Sequence, residues 1–232
     1  MNDLISITNK IKKIDIKLNY GEIFFTTGEV FSATYENMSE ENYEIKENGD
    51  CLSIQDKRKG NIRLFGKTQD YAPVIRITVP AQHTFENISL ATGASEIHAD
   101  TLITNALSLK MGAGEFHAKE LNVSDHATIE SGAGEVHVGT GHINNLNSSS
   151  GAGEIHIQAA LTGDSHITAG MGEIRLQLLG NPDDYSATIA KGIGRLCVNG
   201  FTSGNGMTYG SGPNRIKVTG GVGEISIDFT QI

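Results

Sequence analysis

A six-residue string that keeps returning constrains this chain more than anything else in it. Gly93-Ala94-Ser95-Glu96-Ile97-His98 is followed by Gly112-Ala113-Gly114-Glu115-Phe116-His117, by Gly132-Ala133-Gly134-Glu135-Val136-His137 and by Gly151-Ala152-Gly153-Glu154-Ile155-His156. Degraded copies come at Gly170-Met171-Gly172-Glu173-Ile174-Arg175, Gly192-Ile193-Gly194-Arg195-Leu196-Cys197 and Gly221-Val222-Gly223-Glu224-Ile225-Ser226. A fragment stands at Tyr20-Gly21-Glu22-Ile23. The fourth residue of the string recurs at steps of 19, 20, 19, 19, 22 and 29 residues. A near-constant period of this length marks a repeat architecture, in which each unit buries its apolar face only by stacking on the next.

Within a unit the pattern has the period of a strand. Glu154-Ile155-His156-Ile157 alternates polar and apolar. Leu121 and Val123 mark a second short segment, and Ala127 and Ile129 a third, before the turn at Gly132. Three strands and three turns must fit into about nineteen residues, where a strand with a returning helix would need roughly thirty. The unit therefore suits one circuit of a parallel β-helix, with each strand paired to its equivalent one coil on, at about 4.8 Å. Glycine supplies corner angles that a Cβ disfavours, and a small middle residue lets successive corners stack. Ile97, Phe116, Val136, Ile155, Ile174, Leu196 and Ile225 are expected to form one apolar ladder along the axis.

Residues 1–80 are less regular but still β. Ile14, Ile16 and Leu18 alternate with Lys13, Asp15 and Lys17. Tyr43 to Lys46 and Cys51 to Ile54 flank Glu47-Asn48-Gly49-Asp50, and Asn-Gly between alternating runs signals a hairpin. Val74-Ile75-Arg76-Ile77-Thr78-Val79-Pro80 reads as a strand closed by proline. No linker-like tract separates this part from the repeats. The expectation is one domain over 1–232: irregular N-terminal coils with a β-hairpin over 1–80, then the regular repeats and C-terminal coils over 81–232.

Composition narrows the function classes. Glycine is high at 28 and proline low at 4 without a three-residue period, which fits tight turns between short strands. A net charge of −9 argues against nucleic acid and against anionic membrane surfaces as partners. The one basic string, Lys57-Arg58-Lys59, reads as a solvated turn. Cys51 and Cys197 form neither a disulfide framework nor a CxxC motif and read as free thiols, which favours a reducing compartment. Residues 1–9 have no apolar signal-peptide core, and no apolar run is long enough to span a bilayer. The chain as given is expected to be soluble and cytoplasmic, without direct membrane insertion; association with a cell surface stays open.

The repeated Gly-x-Gly-acidic-apolar-polar-apolar coils, after an Ile-Thr-Val-Pro strand, resemble the bacterial β-strand-repeat adhesin-like family, which carries a domain of unknown function. The resemblance covers roughly residues 10–232. Family members usually show Ser-Gly-Ser-Gly-Asp, where this chain has Gly-Ala-Gly-Glu with His two positions on. The resemblance implies an all-β fold built as a single-stranded, right-handed β-helix-like solenoid with coils of about 19–20 residues. It brings no catalytic residues.

The outer face is the unusual part. Glu and His two residues apart share a face of a strand, so stacking makes two columns: Glu96, Glu115, Glu135, Glu154 and Glu173, beside His98, His117, His137 and His156. Like charges at about 4.8 Å repel by about 1 kcal/mol in water. Solvent and splayed rotamers, protonated histidines, or bound cations could moderate that. Exposed, screened side chains with structural roles are the favoured reading; Glu-x-His offers genuine ligands for transition metals but no closed shell. Arg195 reads as a charge repair between Glu173 and Glu224. Neighbouring carboxylates should raise the histidine pKa values.

A catalytic constellation would depart from the repeat. The departures are Asp125-His126, His142, Asp164 with His166, and Asp183-Asp184, and none has a recognised catalytic spacing. No phosphate loop, nucleophile elbow or HExxH occurs. The expected function is a non-enzymatic, adhesin-like interaction or scaffold module, with no catalytic, cofactor-binding or metal residues assigned and no cofactor. Its partner would be a protein or a carbohydrate, and homo-oligomerisation through solenoid ends or edges stays open. The alternative is a polysaccharide-active β-helix enzyme, a lyase or hydrolase.

Overall fold

The structure is a computed structural model that describes residues 3–5, 11–58 and 71–231. Its strands are β1 (Asp3–Ile5), β2 (Lys13–Gly28), β3 (Ser32–Glu36), β4 (Tyr43–Asn48) and β5 (Cys51–Asp56). There follow β6 (Val74–Pro80), β7 (Phe85–Val138), β8 (Gly141–Asn144), β9 (Leu146–Thr162) and β10 (Asp164–Leu179). A 3₁₀ turn, Pro182–Asp184, leads to β11 (Tyr185–Val198), β12 (Phe201–Ser203), β13 (Gly206–Gly210) and β14 (Asn214–Thr230). The fold is all-β, with no α-helix among the described residues. No helix there is long and apolar enough to cross a membrane.

The alternating sequence becomes alternating burial. β9 reads buried at Ile155, Ile157, Ala159 and Leu161, with half-buried His156, Gln158 and Ala160 between. The parallel register is the one the repeat requires: Val136 pairs with Ile155, Ile155 with Ile174, and Ile174 with Ile225. Ile97, Phe116, Val136, Ile155, Ile174, Ile225 and Leu196 are each 2% exposed or less, which makes the ladder the spine of one continuous apolar cluster. Burying a side chain of this size is worth about 1.5–3 kcal/mol, and every coil adds several.

The Gly-x-Gly corner turns on its second glycine, which sits in the left-handed region. Gly153 has φ +139°, and a Cβ built there would lie 1.8 Å from the Gly134 carbonyl oxygen of the coil below. The middle residue of the same corner points outward, so it tolerates Ala152, Met171, Val222 or Ile193.

Spatial order departs from sequence order at both ends. The strand path runs β1-β3-β6-β2-β7-β8-β9-β10-β14-β11-β12. The last coil of the chain, β14, slots between β10 and β11, pairing with both in parallel. The ladder therefore runs Ile174, Ile225, Leu196, and the sequence-order expectation is corrected. Steps of 22 and 29 residues concealed a hairpin: β12 and β13 both lie antiparallel on β11. At the other end β2 lies between β7 and the later strands β5 and β6. There β3 runs antiparallel on β6 and β1 antiparallel on β3. Antiparallel strands thus cover both open ends of the stack, a common device for blunting a sheet edge.

The predicted hairpin is present as β4 and β5, with Asn48 opposite Cys51 and Gly49 at φ +65°. The turn residues are thus Gly49 and Asp50, one step later than Asn-Gly suggests. The basic string is also corrected. Arg58 is no solvated turn residue: it forks onto Asp56 at 2.7 and 2.9 Å and lies over the rings of Tyr20 and Tyr43. Lys59 lies outside the described residues. Cys51 and Cys197 are free.

Candidate functional site: the Glu and His ladders

Stacking brings together the residues the repeat pointed to, and extends both columns. Glu154 pairs in register with Glu135 on one side and Glu173 on the other. Glu173 continues to Glu224, and Glu96 to Glu22 at the far end. Gly114 stacks over Ser95, and Gly134 over Gly114, which carries Glu96, Glu115 and Glu135 on the same line. Seven carboxylates therefore stand one per coil: Glu22, Glu96, Glu115, Glu135, Glu154, Glu173 and Glu224. Glu22 was legible only as a fragment without the leading Gly-x. Glu224 seemed distant because its coil is displaced in sequence.

Arg195 does not interrupt this column. It follows Glu224 in space and donates to its carboxylate at 2.8 Å, so it closes the end of the line.

The histidine column is a stack of rings. Phe24 and His98 stack at 5.3 Å between centroids, His98 and His117 at 5.6 Å, and His117 and His137 at 5.6 Å. His137 and His156 meet edge to face at 6.2 Å. The Arg76 guanidinium covers the far side of Phe24 at 4.4 Å. At the other end the position equivalent to His156 is Arg175, which pairs with Glu173. Cations thus close both ends of the face, and the middle rungs have only imidazoles beside their carboxylates.

The rungs differ in pairing. His117 Nε2 lies 3.1 Å from Glu115, His156 Nε2 3.5 Å from Glu154 and 3.8 Å from Glu173, and His98 Nε2 3.8 Å from Glu96. The Glu135 carboxylate makes no hydrogen bond or ion pair with any described residue, although its backbone is paired in the ladder. His137 departs from expectation. Burial, then the charges of His117 and His156, push its pKa below the ordinary imidazole value, against the opposing pull of Glu135. Stacking a ring between two others removes water and adds like charge, which a coil-by-coil reading of Glu-x-His does not include.

Two groups of potential donors have their ligand atoms within 4.8 Å of one another: His117, Glu135 and His137, and Glu135, Glu154 and His156. Both share Glu135.

Apart from His166, which makes no side-chain hydrogen bond or ion pair among the described residues, the departures from the repeat have structural roles. Asp164 forks onto Arg215 on the neighbouring coil, at 2.5 and 2.6 Å. Asp125 and His126 pair with each other at 3.0 Å on an exposed corner. His142 Nε2 meets the Thr162 hydroxyl at 3.2 Å. Asp183 and Asp184 form the 3₁₀ turn. A groove of about 550 Å³ lies elsewhere, between the corners at Leu18, Thr92, Met111 and Ser131.

A parallel β-solenoid with one face of in-register ionisable columns is the class of protein these features define. The sequence model of the Toastrack DUF4097 family matches residues 11–198. The chain belongs to that family, whose domain has no assigned function. Two solved structures are similar to it. One is a putative cell adhesion protein from Clostridium sporogenes, 20% identical, with 99% of each chain covered and a TM-score of 0.41. The other is a putative adhesin from Bacteroides fragilis, 18% identical, covering 98% of this chain and 96% of that one, with a TM-score of 0.40. No curated protein matches.

Proposed function

We propose that the chain is a non-enzymatic, adhesin-like interaction or scaffold module, and that the Glu and His ladders are its contact face. In this reading residues 1–232 form one solenoid unit. Its turns are right-handed, as parallel connections in one sheet nearly always are. The observation that carries the function is the register. Carboxylates and imidazoles repeat once per coil on a backbone held rigid by pairing on both sides. Such a face suits many weak, evenly spaced contacts with a protein or a carbohydrate, where catalysis needs one constellation in a recess.

The test is attachment of the immobilised protein to a panel of polysaccharides and to bacterial cell surfaces. It compares the wild type with a Glu115→Gln, Glu135→Gln, Glu154→Gln variant of unchanged circular dichroism. Loss of attachment in the variant alone supports the reading. Equal attachment places the contact elsewhere. New reducing ends or unsaturated sugar products from any polysaccharide would make the chain an enzyme.

A further inference from the structure

We propose that His117, Glu135 and His137 bind a divalent transition-metal ion of the zinc class, with Glu154 and His156 extending the same site along the ladder. Three independent features lead there. The first is proximity: the ligand atoms of each trio sit within 4.8 Å of one another, and the two trios share Glu135. In a tetrahedral zinc site with bonds of about 2.0–2.1 Å, ligand atoms stand about 3.3 Å apart. Side-chain rotation on the outer face covers that remaining distance with the backbone unchanged.

The second is donor chemistry. Two imidazoles and a carboxylate form the set that zinc, nickel, cobalt and copper prefer, whereas calcium and magnesium take oxygen donors. His117 also has one ring nitrogen 3.1 Å from Glu115. A carboxylate behind a ligand imidazole orients the ring and leaves its second nitrogen for the metal. Water would complete the shell from the open outer side.

The third is charge. Arg195 and Arg175 occupy carboxylates at one end of the column, and Arg76 lies over Phe24 at the other. Between them Glu135, only partly exposed and flanked by two more carboxylates, has no cation of its own. A divalent ion at Glu135 would supply the missing charge. His98 is less suited: it stacks on Phe24 and stands 3.8 Å from its own Glu96.

The site needs no partner molecule, so it is tested on the purified chain with the metal alone, and its failure would leave the contact-face reading standing. Zinc chloride is titrated by calorimetry into wild type, Glu135→Gln, His137→Gln and, as an off-ladder control, His142→Gln. The expected result is saturable zinc binding by wild type and His142→Gln, at least ten-fold weaker binding by the other two, and none of magnesium. Equal zinc affinity in all four, or no zinc binding by the wild type, overturns the proposal. Should a ladder variant fail to fold, cobalt(II) added to the wild type decides. Intense visible bands of a low-coordinate nitrogen-containing site support the proposal, and the weak spectrum of hydrated cobalt overturns it.

Discussion

Arg195 donates to the Glu224 carboxylate at 2.8 Å across 29 residues of chain, because β14 lies between β10 and β11, the two coils that precede it in sequence. The arrangement makes the end of the solenoid interdependent. Among the described residues β11 pairs only with β12, β13 and β14. A chain ending at Val198 therefore leaves β11 without a strand to pair with and bares the edge of β10. Hydrogen exchange should show β11 exchanging at near-unfolded rates while β9 stays protected. A protected β11 in the shortened chain would mean that it can move onto β10 directly.

Gly153→Ala should destabilise by about 3 kcal/mol, since it combines a strained backbone angle with a Cβ 1.8 Å from the Gly134 oxygen. Ala152→Met, one residue away, should stay within about 0.5 kcal/mol, as Met171 already occupies the equivalent position, 59% exposed. Urea denaturation of the two variants checks the contrast.

The ladder also separates its inner and outer sides. Ile155, fully buried, should cost about 2–5 kcal/mol when changed to Ala, through lost burial and the cavity left behind. Glu154→Gln removes one like charge from the outer column and should be neutral or mildly stabilising. Thermal melts of both decide; a large loss in Glu154→Gln would show that the carboxylate supports the backbone.

Acid should act through Asp56. Burial favours its neutral form, but hydrogen bonds from the Arg58 side chain and backbone and from the Asn19 amide outweigh it, and the carboxyl sits below its ordinary range. A depressed folded pKa means stability that is present above the unfolded value, about 3.9, and lost as pH falls through the folded value. With the Asp56 side chain 2% exposed, losing a charged hydrogen-bonded pair should cost about 2 kcal/mol. Asp56→Asn should show that loss already at neutral pH and a flatter stability curve below pH ~4, measured by urea midpoints across pH. An acid limb as steep as wild type would assign the dependence to other carboxylates.

Much of the fold was legible because a solenoid is nearly one-dimensional. The period of the Gly-x-Gly string sets the coil length, and alternation along Glu154-Ile155-His156-Ile157 sets which side faces in. The five-carboxylate and four-histidine columns followed from those two facts alone. Arg58 was misread because its string is charged and polar, while the rings that cover it, Tyr20 and Tyr43, come from β2 and β4 and meet it only through strand pairing.

The sequence by itself determined the repeating unit, its buried face and the residue types displayed on the outside, since these depend on local alternation and on glycine at the corners. The tertiary structure alone decided the order in which coils stack and where the charges end. It placed Glu224 before Arg195, joined Glu22 and Phe24 to the columns, and left Glu135 between two histidines without a cation. Coil order is a competition among near-equivalent pairing edges. Its outcome rests on loops, hairpins and end caps whose contacts are long-range, and no local period records them.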